Sequence, residues 1–210
     1  LCTVANLKAQ DLVADIHFIY GDIRSTANVR EIAAKANTEY TLIYTKYTTL
    51  SFVLFALERM EALIEDTKAA MVYADHFNQV GEIRTNAPVI DYQLGSVRDD
   101  FEFGSVLFYR TSAVKEAVAR MDVDYQYAGL YDLRLKVSQK GALEHINEYL
   151  YYDVELDNRT TGEKNFDYVD PKNRGVQIEM EKAVTQHLKD INGYLSWLQG
   201  CRFARRWLRV

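Results

Sequence analysis

The sequence predicts an α/β domain, with a Rossmann-like, mostly parallel sheet flanked by helices. Short apolar runs rich in β-branched and aromatic residues alternate with segments in which apolar residues recur every three or four positions. The connections are short, which is typical of strands joined by right-handed helical crossovers. The chain has 210 residues, enough for one domain with its own hydrophobic core. We expect a core over residues 1–155 and a C-terminal loop and helical extension over residues 156–210.

The first half of the chain is the more regular one. Ser25 is a suitable N-cap for the first helix, because its hydroxyl can accept a hydrogen bond from an amide of the first turn. Apolar residues in the second helical segment recur at helical spacing. The predicted strands cover residues 14–20, 40–44 and 69–73, and the predicted helices cover residues 26–37 and 50–65.

The second half carries a long polar insertion. Residues 77–100 are rich in turn-forming residues and are expected to form a hairpin or a long loop over one edge of the sheet. Gly141 stands where a helix commonly ends on a glycine. The sequence predicts strands at 105–109 and 143–152, helices at 112–121, 130–140 and 175–197, and a polar loop at 153–173.

Composition excludes several classes of function. The net charge of −5 argues against nucleic acid as a partner, since phosphate binding needs a dense basic face. The two cysteines, Cys2 and Cys201, form no CxxC motif and fit the reducing environment of the cytoplasm. No apolar run approaches the roughly 20 residues of a transmembrane helix. The histidines are too scattered to predict a zinc site.

The C-terminal segment is basic and aromatic. It is compatible with a solvated helix end, with contact to an anionic membrane at its inner face, or with contact to another subunit. The amphipathic stretch at residues 175–197 is expected to be a packing helix or a homodimer helix. The tail contains Arg202, Phe203, Arg205, Arg206, Trp207, Leu208 and Arg209.

Polar residues follow the predicted strands at the edge where an α/β sheet binds ligands. Ligands of such sheets collect beyond the carboxyl ends of the strands. Asp22 follows the first strand, Lys46 and Tyr47 follow the second, and Asp75 and His76 follow the third. A carboxylate at the position of Asp75 suits a metal, a ribose hydroxyl or a base edge. The alternative is that Asp75 forms a turn or caps a helix.

A second group of candidates lies further along the chain. Gly104 precedes a strand and permits close approach of the backbone to a ligand. Asp132 lies near the first turn of a helix, whose dipole favours the ionised carboxylate. A carboxylate held in this way can act as a general base on a hydroxyl nucleophile. Alternatively, Asp132 caps its helix and Arg134 pairs with a surface acid.

These segments together resemble the family 2 glycosyltransferases of the GT-A fold. The match reads FGSVLFYRTSA, then LYDLRL, then KGALEHINEYLYY, and the resemblance spans residues 13–152. It implies a GT-A core that transfers a sugar, with inversion, from a nucleotide-sugar donor to a hydroxyl of a glycan or glycolipid acceptor. Polysaccharide biosynthesis is the expected process.

The resemblance also implies roles for individual residues. Asp132 matches the second acid of the family's Glu-Asp pair, the catalytic base, and Tyr131 replaces the first acid. The family's Asp-x-Asp motif, which holds Mg²⁺ or Mn²⁺, falls at Thr45-Lys46-Tyr47. Lys46 is therefore expected to supply positive charge in place of the cation, and no residue is assigned to a metal. The donor-binding candidates are Asp22, Lys46, Tyr47, Asp75 and His76, and the acceptor-binding candidates are Gly104, Tyr131 and Arg134.

Two other functions remain open from the sequence. The loss of the Asp-x-Asp carboxylates and the missing counterpart of the family's first strand favour a degenerate GT-A domain that serves as a binding or scaffolding module. A nucleotidyltransferase uses a similar sheet but needs a Gly-rich basic signature near its start, and none is visible. A serine hydrolase is not expected because the sequence has no Gly-x-Ser-x-Gly motif.

Overall fold

The computed structural model describes residues 12–155 and 174–195, together with Val4, Leu7 and Lys8. Both cysteines, the basic aromatic tail and most of the predicted polar loop lie outside the described residues, and so do the predictions made for them. The elements are, in chain order, α1 (Thr26–Lys35), β1 (Tyr40–Tyr44), β2 (Leu50–Phe52), α2 (Ala56–Thr67), β3 (Met71–Val80), β4 (Ile83–Ala87), β5 (Val106–Arg110), α3 (Thr111–Ala119), α4 (Gly129–Ser138), β6 (Leu143–Glu155) and α5 (Arg174–Asp190).

The strands form one six-stranded mixed sheet. Its order is β1-β5-β3-β6-β2, and β4 pairs with the outer half of β3. Only β3 and β6 run parallel, whereas the other pairs of described strands are antiparallel. The α/β class is confirmed, but the prediction of a mostly parallel sheet is wrong. The reason is that strands joined by helices are not neighbours: β6 lies between β2 and β3, and β3 lies between β5 and β6. In addition, β5 runs antiparallel to both β1 and β3.

Helices cover both faces of this sheet. On one face α1, α3 and α4 pack around Val29, Val114 and Leu133. On the other face α2 buries Met60 and Ile64 against the strands. Because side chains alternate along a strand, the sheet contributes to both cores. The result is a three-layer α/β/α arrangement, which fixes the loops at the sheet edges.

The predicted strand at residues 14–20 is wrong. This segment has no regular secondary structure and pairs with no strand of the sheet. Asp15 turns its carboxylate onto the amide of Ile16 at 2.7 Å, a local bond that competes with strand pairing. The following helix begins as predicted, with the hydroxyl of Ser25 accepting the amide of Asn28 at 3.2 Å.

The predicted helix at residues 50–65 starts too early. Residues Leu50–Phe52 form β2, which pairs with the end of β6, and the helix runs over Ala56–Thr67 instead. Phe55 separates the two elements with a left-handed φ of 61°. The helical spacing of apolar residues therefore included strand residues by coincidence.

Strand β3 continues well beyond its predicted end at residue 73. It runs to Val80 and turns through Gly81, at a φ of 59°, into β4, which confirms a hairpin in the polar insertion. Asp75 and His76 consequently lie inside a strand and not after one. The pairing of β3 with β6 shifts register at these two residues, which re-aims their side chains.

Gly141 does not cap α4 in a left-handed conformation as predicted. The C-terminal cap of α4 is Gln139, and Gly141 does not have a positive φ. A Cβ added at Gly141 would lie 2.7 Å from the Cβ of Ala70. The glycine is needed because the chain passes close to the start of β3.

The C-terminal helix α5 packs against α4 of the same chain. Its residues Met180, Ala183 and Val184 contact Ala128 and Leu135. Much of its apolar stripe is therefore used within the chain, as expected for a packing helix. Among the described residues, no helix has the length and apolar character needed to cross a membrane.

Candidate functional site

An open cleft of about 1590 Å³ lies beside β1. Its walls are the segment before α1, the carboxyl end of β1, the loop before β5 and one side of α4. The start of β5 meets the end of β1, where the amide of Thr45 donates to the carbonyl of Ser105 at 2.9 Å. The aromatic side chains that line the cleft include Tyr44, Tyr47, Phe101, Phe103, Tyr127 and Tyr131.

Lys46 forms an ion pair with Asp153 at this edge of the sheet. The Lys46 Nζ lies 2.6 Å from Asp153 Oδ2, and the two side chains are 42% and 1% exposed. The hydroxyls of Tyr44 and Thr48, 2.8 Å apart, brace the loop that carries Lys46. A buried carboxylate is thus covered by an ammonium group that reaches solvent.

Three buried polar atoms near this ion pair have no hydrogen-bond partner among the described residues. They are Asp153 Oδ1, His76 Nδ1 and Ser105 Oγ. Asp153, His76 and Ser105 are 1%, 6% and 2% exposed. An unpartnered buried polar group costs about 1–3 kcal/mol, and native proteins contain few of them. Three in one neighbourhood point to a place where a polar ligand or water binds.

Tyr151 connects these three residues. Its ring stacks on His76, with centroids 5.1 Å apart and planes at 7°. Its hydroxyl accepts the amide of Ser105 at 3.0 Å, and Asp153 lies two residues further along β6. Residues two apart on a strand project from the same face. The cluster is therefore built on β3, β5 and β6 together.

Gly104 makes the close approach that its sequence position predicts, but it approaches Tyr151. It has a φ of 76°, and an added Cβ would lie 2.1 Å from the Tyr151 hydroxyl and 3.4 Å from His76 Nδ1. Its amide donates to the carboxylate of Glu102 at 2.8 Å. Gly104, Glu102 and Lys46 line the cleft, whereas Asp153, His76 and Ser105 do not, so the polar cluster meets the cleft at Lys46.

The imidazole of His76 is held in its neutral form. Burial lowers the pKa of His76, and Lys46 acts in the same direction, while the carboxylates of Asp153, Glu102 and Asp75 act in the opposite direction. Burial also raises the pKa of the stacked Tyr151 to about 12. At neutral pH the cluster therefore carries the two opposite charges of Lys46 and Asp153 beside neutral His76 and Tyr151.

The structure does not place Asp132 at the cleft, contrary to expectation. Its carboxylate lies 2.6 Å from Lys136 Nζ, and the two side chains are 3% and 7% exposed. Burial raises the pKa of Asp132, whereas the hydrogen bond from Lys136 lowers it. The cleft is lined instead by Leu130, Tyr131 and Arg134, which share another face of α4. A helix turns by about 100° per residue, so Asp132 points away from its neighbour Tyr131.

Tyr131 and Arg134 line the cleft but also hold the loop before β5. Arg134 donates to the carbonyls of Ser96 at 3.1 Å and Arg98 at 2.7 Å. The hydroxyl of Tyr131 donates to the carbonyl of Val97. Arg134 therefore binds backbone carbonyls and not the surface acid that was the alternative to a ligand role.

Asp75 and His145 anchor the beginning of the same loop. Asp75 Oδ1 accepts the amide of Val89 at 2.8 Å and lies 2.9 Å from His145 Nε2. The other ring nitrogen of His145 lies 2.7 Å from the carboxylate of Asp91. Asp75 is not among the residues that line the cleft. Its position inside β3 supports a structural role, but Asp75 neither forms a turn nor caps a helix.

Asp22 and Tyr47 both line the cleft, and their role in ligand binding stays a prediction. The carboxylate of Asp22 accepts Arg24 Nη2 at 2.6 Å, and this bond lowers the pKa of Asp22. The Arg24 guanidinium lies 5.4 Å from the ring centroid of Tyr127. Tyr47 is 99% exposed. The cleft therefore combines the Arg24 cation, which Asp22 holds in place, with the accessible ring of Tyr47.

The sequence analysis missed three residues of the polar cluster, namely Ser105, Tyr151 and Asp153. Asp153 was assigned to a loop because the predicted strand ended at residue 152, although Tyr151 and Asp153 continue its alternation. That alternation is the signal by which Asp153 was predictable. The role of Ser105 depends on contacts between distant strands and has no signal in the sequence.

Comparison with known proteins identifies no family. No protein-family model matches the sequence, and no curated protein matches it either. Within the described part of the chain, no group of three or more His, Cys, Asp or Glu residues is arranged to hold a metal ion. The residues Thr45, Lys46 and Tyr47 do not fit Mg²⁺ or Mn²⁺, which prefer carboxylate and other oxygen ligands, because an ammonium group is central to the set.

Proposed function

We propose that this chain is a nucleotide-sugar-binding domain of the GT-A type that acts as a binding module. The observation that carries the proposal is the Lys46–Asp153 ion pair, 2.6 Å long, at the edge of an aromatic cleft and beside three unpartnered buried polar atoms. Clefts lined by apolar and aromatic side chains with a few converging polar groups are the usual sites of small-molecule binding.

A cation at the cleft suits the diphosphate of such a ligand. Arg24 lines the cleft, and it is oriented by Asp22 and by the ring of Tyr127. Guanidinium and ammonium groups bind phosphate oxygens through charge-assisted hydrogen bonds. The position of Arg24 supports an anionic ligand in the cleft.

Aromatic rings suit the nucleobase and the sugar. Tyr47 is fully accessible beside Lys46, and Tyr127 also lines the cleft, with the Arg24 guanidinium 5.4 Å from its ring centroid. Flat rings with a polar end stack on bases and sugar rings while their hydroxyls reach water. The cleft therefore offers separate surfaces for the parts of a nucleotide sugar.

The position of Asp132 favours binding over transfer by that residue. A general base must reach the proton that it removes, directly or through one water. The Asp132 carboxylate is buried against Lys136 and does not line the cleft. The proposal therefore assigns Asp132 to the packing of α4 and leaves the cleft to bind its ligand.

Calorimetric titration of the full chain tests this proposal. UDP-sugars, GDP-sugars and the free diphosphates are titrated with and without Mn²⁺. We expect saturable binding that does not require Mn²⁺, and weaker binding by Arg24→Gln and Tyr47→Ala variants. Absence of binding by every nucleotide sugar, under both conditions, contradicts the proposal.

A second candidate is an active inverting glycosyltransferase that uses a glycan or glycolipid acceptor. It is favoured by Glu102, a carboxylate that lines the cleft and is fixed by the amide of Gly104 at 2.8 Å. In this position Glu102 is able to accept a proton from an acceptor hydroxyl. Release of nucleoside diphosphate that depends on an acceptor, and that is lost in Glu102→Gln, supports transfer. Unchanged release in that variant contradicts the role of Glu102.

A further inference from the structure

We propose that Lys46, Asp153, His76 and Ser105 form a subsite for two neighbouring hydroxyl groups of a sugar ring, which opens when Lys46 moves off Asp153. This inference rests on the proposed function, from which it takes a nucleotide sugar as the ligand. It goes further by stating which part of a nucleotide sugar binds to these four residues.

The hydrogen-bonding capacity of the subsite selects hydroxyl groups over phosphate. The free oxygen of Asp153 only accepts hydrogen bonds, so its partner must donate. The hydroxyl of Ser105 donates and accepts, and Lys46 has further N–H groups besides the one that faces Asp153. A hydroxyl group both donates and accepts, whereas an ionised phosphate oxygen only accepts and is repelled by Asp153.

The charge of the subsite suits a neutral ligand group. Lys46 and Asp153 cancel one another at 2.6 Å. The ring of His76 is neutral because burial lowers its pKa. The nearby carboxylate of Glu102 is exposed and is engaged by the Gly104 amide. An anion would bring an unbalanced charge into this buried site at a cost in desolvation, whereas a neutral hydroxyl group adds no charge.

Lys46 is placed to act as the movable cover of the subsite. Its side chain is 42% exposed, whereas Asp153 beneath it is 1% exposed. Moving Lys46 leaves the buried Asp153 carboxylate without its cation, so the sugar hydroxyls that enter must replace that hydrogen bond. Tyr47 follows directly and is 99% exposed, so a sugar at this point has an aromatic ring beside it.

The test separates the sugar from the nucleotide. Full-length wild-type chain is titrated with UDP-glucose, UDP-galactose, GDP-mannose, UDP, GDP and the three free monosaccharides, by calorimetry and by NMR of the His76 ring. We expect Asp153→Asn and Ser105→Ala to weaken nucleotide-sugar binding about tenfold, equivalent to ~1.4 kcal/mol, and to leave UDP or GDP binding within about twofold. Sugar binding should shift the His76 signals.

Two features keep the test decisive if a variant folds poorly. Ser105→Ala removes an unpartnered hydroxyl and leaves the fold intact, and Lys46→Gln changes a side chain that reaches solvent. Asp132→Asn is the matched control, because its carboxylate is also buried and also lies 2.6 Å from a lysine, yet outside the cleft. We expect this control to bind nucleotide sugars as the wild type does.

Each outcome decides between the two claims. Equal weakening of sugar and free diphosphate binding, or no weakening at all, overturns the subsite and leaves the binding module standing. A free monosaccharide that shifts His76 when no nucleotide sugar binds overturns the proposed function and supports the subsite. No response to any of these ligands overturns both, and the cluster then holds only enclosed water.

Discussion

The ammonium of Lys46 lies 2.6 Å from the carboxylate of Asp153, joining the end of β1 to the end of β6 across the cleft edge. Asp132 and Lys136 form a second pair of the same length within α4. The first pair is open to solvent on the lysine side, whereas the second is buried on both sides. The same chemistry therefore serves a candidate binding site in one place and helix packing in the other.

Lys46→Gln should lower the free energy of unfolding by about 1–2 kcal/mol at pH 7, because it leaves the Asp153 carboxylate buried without its cation. Lys46→Gln combined with Asp153→Asn should recover part of this loss. A double-mutant cycle by urea unfolding measures the coupling between the two residues. Strictly additive effects of the two changes contradict the ion pair.

Asp132→Ala should destabilise the chain by about 3 kcal/mol, because Lys136 would be left charged and buried. Adding Lys136→Met should restore much of the stability. Urea unfolding gives both values, and calorimetry should show unchanged nucleotide-sugar binding. A catalytic base behaves in the opposite way, with lost turnover and an unchanged melting temperature, and that pattern would refute our assignment of Asp132.

Gly104→Ala should cost about 3 kcal/mol, from a left-handed φ and from the contact between the new methyl group and the Tyr151 hydroxyl. The φ is 76° and the added Cβ lies 2.1 Å from that hydroxyl. Tyr151→Phe removes the clashing oxygen, and the nearest ring carbon is then 3.4 Å away. The double variant should be more stable than Gly104→Ala alone in thermal unfolding. An equal or lower melting temperature would show that the close approach is not limiting.

The stability of the chain should fall in acid partly through Glu65. Hydrogen bonds from Tyr40, Arg110 and Lys68 lower the pKa of Glu65 from 4.5 to about 2. The folded state therefore holds its proton less tightly than the unfolded state, so the stabilisation is complete above pH 4.5 and is lost as pH falls towards 2. Urea midpoints at pH 6 and pH 3 should differ less in Glu65→Gln than in wild type.

The hydrogen bond from the Tyr40 hydroxyl to Glu65 gives a second variant for this prediction. Tyr40→Phe removes that bond and should reduce the acid dependence in part. If Glu65→Gln keeps the full acid dependence of the wild type, the hydrogen bonds from Tyr40 and Arg110 do not set the pKa of Glu65.

Elements with local signals were predicted well from the sequence. The strand Tyr40–Tyr44 and the Ser25 cap of α1 are as expected, because β-forming residues and a capping hydroxyl act within a few positions. The strand at residues 50–52 was not predicted, since it depends on pairing with β6, about a hundred positions away. The antiparallel position of β5 between β1 and β3 is a contact of the same long-range kind.

The candidate residues come together in part, and their role in ligand binding stays a prediction. Lys46, Tyr47, Asp22, Gly104, Tyr131 and Arg134 line the cleft, because strand ends and one helix face are readable from the sequence pattern. The direction of the Asp132 side chain was not predicted correctly, since a change of one position along a helix rotates the side chain by about 100°. Asp75 and His76 were misplaced because β3 continues past its apolar run, stabilised by its β4 hairpin.

Calorimetric titration of nucleotide sugars into wild type and Asp153→Asn tests the central claim most directly. We expect the wild type to bind a nucleotide sugar more tightly than the matching free diphosphate, and Asp153→Asn to lose that difference while retaining diphosphate binding. Equal affinity for the sugar-bearing and free diphosphates in both proteins, or no binding of either, would contradict the account.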